Sequence, residues 1–319
     1  MVNQSLIPIS PMTLSSQFPV GVDVYSWQTG SKEQILFLAA DETATDNALQ
    51  RIASSPDVKL YISHYDSSAF QNYLRSHFDE WFKTDSISIH NKVGLLSEII
   101  RNVLFEQFSR NETNSVVTSA KTLGSHIAQL TSNRSLSGSE LCQILHHDYG
   151  TFTHSANVGF YCSLLASRMG YTGEKLEEIA TGGLLHDLGK LDIDERILNK
   201  PDKLDEFEFR TIKEHPLTGF RKLTKVKGVT TEQLLMAYQH HERLDGKGYP
   251  VGIGGNEIDI VSRICSVADV FEAMTSNRPY RRALSQKQTL EIMSEGVNKS
   301  FDKEVFQCWS NIVHRRLSN

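Results

Sequence analysis

Apolar positions along the chain of 319 residues change their period near residue 67. Before that point they alternate: Val20, Val22 and Val24 are separated by single residues that are polar or small, and Val58, Leu60 and Ile62 repeat the pattern. A period of two is the signature of a half-buried strand. Residues 34–40 form another short apolar run between polar turn residues, and residues 46–55 read as a helix capped at Asp46, with Leu49, Ile52 and Ala53 on one face. Over 67–83 the spacing becomes helical, with Phe70, Tyr73, Leu74, Phe78, Trp81 and Phe82 forming an aromatic stripe of the kind a helix buries. Residues 1–16, with Pro8 and Pro11, read as a loose arm or a first edge element. Residues 1–85 are therefore expected to form a small α+β domain. Nothing in it has the spacing of a ligand set, since His64, His77 and Asp79 are isolated, and a sensory or regulatory role is assigned by position alone.

Residues 86–135 read as a helical connector. Val93, Leu96, Ile100 and Val103 make one seam, and Val116, Ala120, Leu123, Ile127 and Leu130 make a second, with the polar stretch 109–115 between them. Neither seam reaches the three or four heptads of a secure coiled coil. A homodimer or a protein partner, held through this connector or the N-terminal domain, is an expectation that the seams raise.

From residue 137 onward the pattern is helical throughout, over 137–147, 152–169, 174–187, 205–224, 230–243, 257–276, 285–297 and 302–317. Thr230, Thr231 and Ser285 stand where caps belong. The fold class is thus mainly α, with 136–319 as an all-α bundle behind the small α+β domain.

Composition narrows the function classes. An apolar content of 39% with 22% charged residues suits a soluble globular protein with a packed core. A net charge of −5 provides no electrostatic footprint for duplex nucleic acid or for an anionic membrane surface. Cys142, Cys162, Cys265 and Cys308 form no CxxC pair, which suits buried thiols in a reducing compartment. No basic leader and no membrane-length apolar run is present, so the expectation is a cytoplasmic protein without membrane insertion.

Candidate chemistry is concentrated in one window. Eight of the twelve histidines lie between His126 and His241. His154, His186, Asp187, His215, His240, His241 and Asp269 each fall on or at the end of an expected helix. Facing helices of a bundle can aim such residues at one interior site. Seven N and O ligands without a thiolate exceed what a four-coordinate zinc needs, and suit two six-coordinate ions such as iron or manganese sharing a carboxylate. Gly182 and Gly183 cost about 1 kcal/mol each inside a helix relative to Ala, which implies close helix packing beside this site. The glycines of the loop 244–255 suit either tight turns or close approach of the backbone to a ligand. Arg278 and Arg281 are either a solvated pair or phosphate contacts.

HDLGK at 186–190, EHPLTG at 214–219, HHERLDGKGYP at 240–250 and SVADVFEAMTSNRPYR at 266–281 occur in that order. They resemble the HD-GYP domain, a branch of the HD superfamily of metal-dependent phosphohydrolases, over roughly residues 135–310. The resemblance does not reach residues 1–85. It implies an HD-type helical bundle in which His154, His186, Asp187 and Asp269 hold one divalent metal while Asp187, His215, His240 and His241 hold the other, Asp187 bridging. It also implies iron, with manganese as the substitute, and a cyclic di-GMP phosphodiesterase working through a metal-bridging hydroxide to give pGpG and onward GMP. Catalysis falls to Asp187 and Lys190, and substrate binding to Lys190, Gly248, Tyr249, Arg278 and Arg281. The alternative is a module that binds cyclic di-GMP, turns it over weakly and signals through a protein partner. A hydrolase of other nucleotides is disfavoured by the GYP loop.

This sequence departs from the family pattern at one position: some members place a third-metal glutamate four residues before the first histidine, where this chain has Gly150. Asp148 lies on the wrong helical face to replace it. His146, His147 and Asp148 lack the LGK sequel and read as a helix-end cluster. Two metals are therefore expected.

Overall fold

The computed structural model describes residues 6–9, 11–28, 34–53, 55, 58–84, 87–109, 112–145, 151–200, 202–278 and 281–314. The chain divides into two compact units, Met1–Asn102 and Val103–Asn319.

The first unit is a four-stranded antiparallel sheet with helices. β1 (Leu6–Ile9) forms an edge, paired with β4 (Val58–Ser63); β2 (Val24–Gln28) pairs with β4 on its other side and β3 (Ile35–Leu38) closes the order β1-β4-β2-β3. The alternation that begins at Val20 becomes a strand only at Val24. Gly21 lies at φ +77, a left-handed conformation that breaks an extended run, and its N–H donates to the Ala40 carbonyl. Val20 and Val22 are buried in the resulting bend. α1 (Asp46–Ala53) is capped by Thr45 rather than by Asp46, the Thr45 hydroxyl accepting from the Ala48 N–H at 3.2 Å. α2 (Ser67–Lys83) buries its aromatic stripe, and His77 stacks on Phe18 at 4.1 Å beside Tyr73 and Trp81. α3 (Ile89–Ser109) contains the division between the units.

The second unit is helical. α4 (Thr113–Thr131), α6 (Thr151–Arg168) and α7 (Gly173–Leu185) pack on one another at its centre. Val116, Ala120, Leu123, Ile127 and Leu130 of α4 are all buried, so the second connector seam is bundle core rather than a docking face. α5 (Gly138–Ile144) precedes α6. α8 (Glu195–Leu198), α9 (Glu206–Ile212), α10 (His215–Leu223) and α11 (Thr231–Gln239) lead to α12 (Ile260–Thr275), α13 (Gln286–Ser294) and α14 (Lys303–His314). Thr230 and Ser285 each complete a capping box, with Gln233 and Gln288 respectively.

Two features hold the elements that carry the chemistry. Tyr161 of α6, Phe271 of α12 and Trp309 of α14 meet with ring centroids 5.0–5.7 Å apart, mostly edge to face, and all three are fully buried. Such pairs add about 0.5–1.5 kcal/mol each beyond the area they bury. On the other side of α6, Gly183 of α7 abuts Gly159, where a Cβ on Gly183 would lie 2.9 Å from the Gly159 Cα. Among the described residues no helix is long and apolar enough to cross a membrane.

Candidate functional site

Three breaks in helix periodicity set the site. α7 ends at Leu185, so His186 is its C-cap and Asp187 follows in the turn. A short 3₁₀ segment, Leu188–Asp192, then carries Lys190. The expected helix 205–224 is broken between α9 and α10, because Pro216 cannot donate a backbone hydrogen bond and instead starts a new first turn, with His215 at its head. α11 ends at Gln239, leaving His240 as its C-cap and His241 just beyond. His154 stands in the first turn of α6, and Asp269 projects from the middle of α12. Gly189 lets these parts close: a Cβ there would sit 2.0 Å from the His215 carbonyl oxygen and 2.6 Å from the Gly219 nitrogen, both backbone atoms of α10.

All seven sequence-predicted ligands come together. Three overlapping sets have ligand atoms mutually within 4.8 Å: His154 with His186 and Asp269, His186 with Asp187 and His240, and His215 with His240 and His241. Asp187 lies between two groups. Its Oδ2 is 3.2 Å from His154 Nε2 and 3.4 Å from His186 Nε2, while its Oδ1 is 3.2 Å from His215 Nε2 and 3.8 Å from His240 Nε2. Asp269 Oδ1 lies 3.1 Å from His154 Nε2, and its Oδ2 3.8 Å from His241 Nδ1. Cis ligands on an octahedral ion at about 2.1 Å would stand about 3 Å apart, close to the shorter of these separations.

Ring orientation supports the same fit. His186 Nδ1 lies 2.7 Å from the Gly183 carbonyl, His215 Nδ1 2.7 Å from the Ile212 carbonyl, and His240 Nδ1 3.0 Å from the Met236 carbonyl. A carbonyl can only accept, so each Nδ1 carries the proton and each Nε2 is left with a lone pair. His215 Nε2 and His240 Nε2 then face each other at 3.2 Å as two acceptors. They cannot bond to one another, and a cation between them resolves the repulsion. His154 Nε2, His186 Nε2 and Asp187 Oδ1 are buried without a hydrogen-bond partner, which a divalent ion would also satisfy. The residues present fit such ions.

Electrostatics are those of a ligand cluster. Burial opposes charge on Asp187, but the Lys190 ammonium and His186 hold its carboxyl well below the usual carboxylate range. Asp269 is likewise buried and likewise depressed, through the close approach of His154 and the surrounding histidines. Burial keeps His240 neutral, and pushes His241 down to about 3. Lys190 lies 2.5 Å from Asp187 Oδ2; burial works against its charge, but Asp187 and Asp269 outweigh that and raise its pKa.

Two carboxylates that the sequence reading passed over organise the surroundings. Glu272, one turn after Asp269 on α12, is 1% exposed. It bonds His154 Nδ1, accepts from Asn157 Nδ2 at 3.2 Å and from Ser276 Oγ at 2.6 Å, and stands 3.5 Å from Arg278 Nη2. The i, i+3 step from Asp269 was the signal available for it. Glu242, which lies within the HHERLDGKGYP motif, accepts from the backbone N–H groups of Val251 at 2.8 Å and Gly252 at 3.1 Å, and so ties down the glycine loop.

The expected substrate contacts are placed unevenly. The Tyr249 ring stacks on His241 with centroids 4.6 Å apart. Gly248 is a packing position, since a Cβ there would lie 2.5–2.6 Å from backbone atoms of residues 241–243. Arg278 faces Glu272. Arg281 donates to the carbonyls of Ala273 at 2.6 Å, Met274 at 3.1 Å and Arg282 at 3.2 Å, so its guanidinium ties the end of α12 to the following loop. Gly150, with His146, His147 and Asp148, lies outside the described residues.

A family model described as HD domain matches residues 140–305. The chain is 39% identical over 156 residues to a 3′3′-cGAMP-specific phosphodiesterase of Vibrio cholerae, covering 49% of this chain and 34% of that protein. It is 35% identical over 173 residues to a cyclic di-GMP phosphodiesterase of Pseudomonas aeruginosa, covering 54% of this chain and 42% of that protein. The matched segments thus span less than half of each relative. A solved structure of an HDG"Y"P protein from Bdellovibrio bacteriovorus shares the fold over 97% of this chain and 99% of its own, with a TM-score of 0.66 at 18% identity.

Proposed function

We propose, on the premise that this chain belongs to the HD domain family and within it to the HD-GYP branch, that it is a metal-dependent phosphodiesterase that opens cyclic di-GMP to linear pGpG and onward to GMP. The observation that carries this is the division of Asp187, whose Oδ2 faces His154 and His186 while its Oδ1 faces His215 and His240. HD domains bind divalent metal, and here His154, His186, Asp187 and Asp269 would hold one ion while Asp187, His215, His240 and His241 hold the other. Nitrogen and oxygen donors without thiolate support iron, with manganese as the substitute.

When bound, such a pair supplies Lewis-acid polarisation of the phosphoryl oxygens and acidifies a water for attack. The protein residues do the rest. Lys190, kept charged by Asp187 and Asp269, turns its ammonium towards a non-bridging oxygen as negative charge develops there. Arg278 approaches from the Glu272 side. Tyr249 keeps its phenolic proton, because burial and then the Asp269 and Asp187 charges push its pKa up, and its ring walls the pocket over His241. A water oxygen bonds to phosphorus as the P–O3′ bond breaks, and the 3′-oxygen leaves with a proton from solvent.

The relative named for 3′3′-cGAMP supports that cyclic dinucleotide as a second substrate. Among the described residues the metal-ligand groups all fall after residue 103, which supports a regulatory role for the N-terminal unit. Cys142, Cys162 and Cys265 are buried, in keeping with thiols of a reducing compartment such as the cytoplasm.

The test is metal analysis and product identification on anaerobically purified protein, with Asp187→Ala beside it. The unmodified chain should hold two metals and convert cyclic di-GMP to pGpG; the variant should lose both the activity and nearly all metal. A variant that keeps two metals per chain would place the bridge elsewhere.

A further inference from the structure

α9 presents two phenylalanines to solvent, Phe207 at 72% and Phe209 at 49% exposed. Scattered surface phenylalanines are ordinary, but Phe209 is joined to the site through a ladder of contacts. Lys213, one turn further on, places its ammonium 4.6 Å from the Phe209 ring centroid and 5.8 Å from that of Tyr249. Tyr249 in turn stacks on His241. Ring, cation, ring and metal-ligand imidazole therefore follow one another from the surface to the reacting centre.

The ladder is fixed at its outer end. Asp205 and Glu208 form a capping box at the start of α9, and Lys200 Nζ donates to both Glu208 oxygens at 2.7 Å. Phe209 and Lys213 stand four residues apart and so share a helical face, whereas Phe207 is two residues from Phe209 and points elsewhere. Among the described residues Lys213 has no carboxylate partner, so its charge is available to an incoming anion.

We infer that Phe209, Lys213 and Tyr249 form a subsite for the half of a cyclic dinucleotide that is not being cleaved, with the purine stacking on Phe209 and the second phosphate meeting Lys213. The inference rests on the phosphodiester activity proposed above and adds where the rest of the substrate lies. The chemistry matches on both counts: a purine has a flat π-face for an exposed ring, and the ligand's second negative charge needs a cation outside the metal cluster.

The experiment compares Phe209→Ala, Lys213→Met and Phe207→Ala in the full chain on two substrates, a cyclic dinucleotide and methyl p-nitrophenyl phosphate, a small diester without a base or second phosphate. Phe209→Ala should raise KM for the dinucleotide about tenfold with kcat little changed, the size of one lost base stack. Lys213→Met should do the same, with a weaker dependence on salt than the unmodified chain shows. Both should leave turnover of the small diester unchanged, and Phe207→Ala should alter neither substrate. Unchanged KM in Phe209→Ala and Lys213→Met, equal losses on both substrates, or a Phe207→Ala defect matching that of Phe209→Ala would overturn the subsite while leaving the activity standing. An unmodified chain that cleaves the small diester but no cyclic dinucleotide would overturn the substrate reading, and the subsite with it.

Discussion

Glu272 aims a proposed metal ligand without being one. Its carboxylate bonds His154 Nδ1, so the His154 Nε2 is turned towards Asp187 and Asp269. Carboxylate partners of this kind fix ring orientation and raise ligand basicity, and their loss typically lowers metal affinity by about 10–100-fold. Glu272→Gln keeps the shape and removes the charge, so competition against a chelator should show a loss in that range while the fold persists. An affinity equal to that of the unmodified chain would reduce Glu272 to a packing residue. Six of the seven ligand candidates were legible in short local motifs, His186 and Asp187 in HDLGK, His215 in EHPLTG, His240 and His241 in HH and Asp269 in SVAD, whereas His154 stands outside them and was reached through its place on an expected helix and the family resemblance. Glu272 was not singled out, because its partner His154 lies 118 residues earlier in the chain. Arg281 was legible as an Arg but not in its bonding, since RPYR gives no sign of the free carbonyls at the end of α12.

At the scale of elements, the two adjacent glycines of α7 differ in tolerance, Gly183 lying against α6 and Gly182 against α11. A Cβ on Gly183 would meet the Gly159 Cα at 2.9 Å and the Val158 carbonyl at 3.1 Å, and backbone cannot step aside. A Cβ on Gly182 would meet the sulfur of Met236 at 2.3 Å, at the flexible end of a thioether that can swing away. Gly183→Ala should therefore destabilise by about 1–3 kcal/mol through overpacking. Gly182→Ala should be near neutral, since removing a mid-helix glycine gains about 1 kcal/mol to set against the displaced Met236. Urea unfolding of the two variants checks the contrast, and equal losses would contradict it. Helix existence was readable from periodicity through most of the second unit, the four-residue α8 excepted. Helix ends were harder, because Pro216 stops one helix and starts another inside a continuous amphipathic pattern, and because Gly21 ends an alternation that otherwise reads as strand.

Across the whole molecule, burial of so many titratable groups in one place ties stability to pH. In the metal-free protein His240 and His241 have depressed pKa values, so the unfolded chain takes up protons first as pH falls below about 6.5 and stability declines. Asp187, Asp269 and Glu272 are also depressed, the last to about 2, so their stabilisation is complete above the unfolded carboxylate range and is lost as acid protonates them. His154 is raised and acts in the opposite sense: burial disfavours its charge, but Glu272 more than compensates, and its contribution is present below pH 6.5 and lost as pH climbs. Between pH 7 and pH 4 the two depressed histidines outweigh the one raised, and the three acids add their losses only below about pH 4. The melting temperature of chelated protein should fall steadily from pH 7 to pH 4; a flat or rising profile would show that the cluster does not govern acid stability.

Three of the imidazoles are held by carbonyls of their own chain segment, three or four residues away. Direction is thus settled locally for each of these rings, and what the assembled bundle adds is distance. A slide of α10 against α11 would widen the 3.2 Å gap between His215 and His240 while leaving both rings aimed. With an ion held between those two nitrogens the centre would act as a gauge of helix spacing, and a force that loosens the bundle by a fraction of an ångström would be felt first as a weaker grip on that ion.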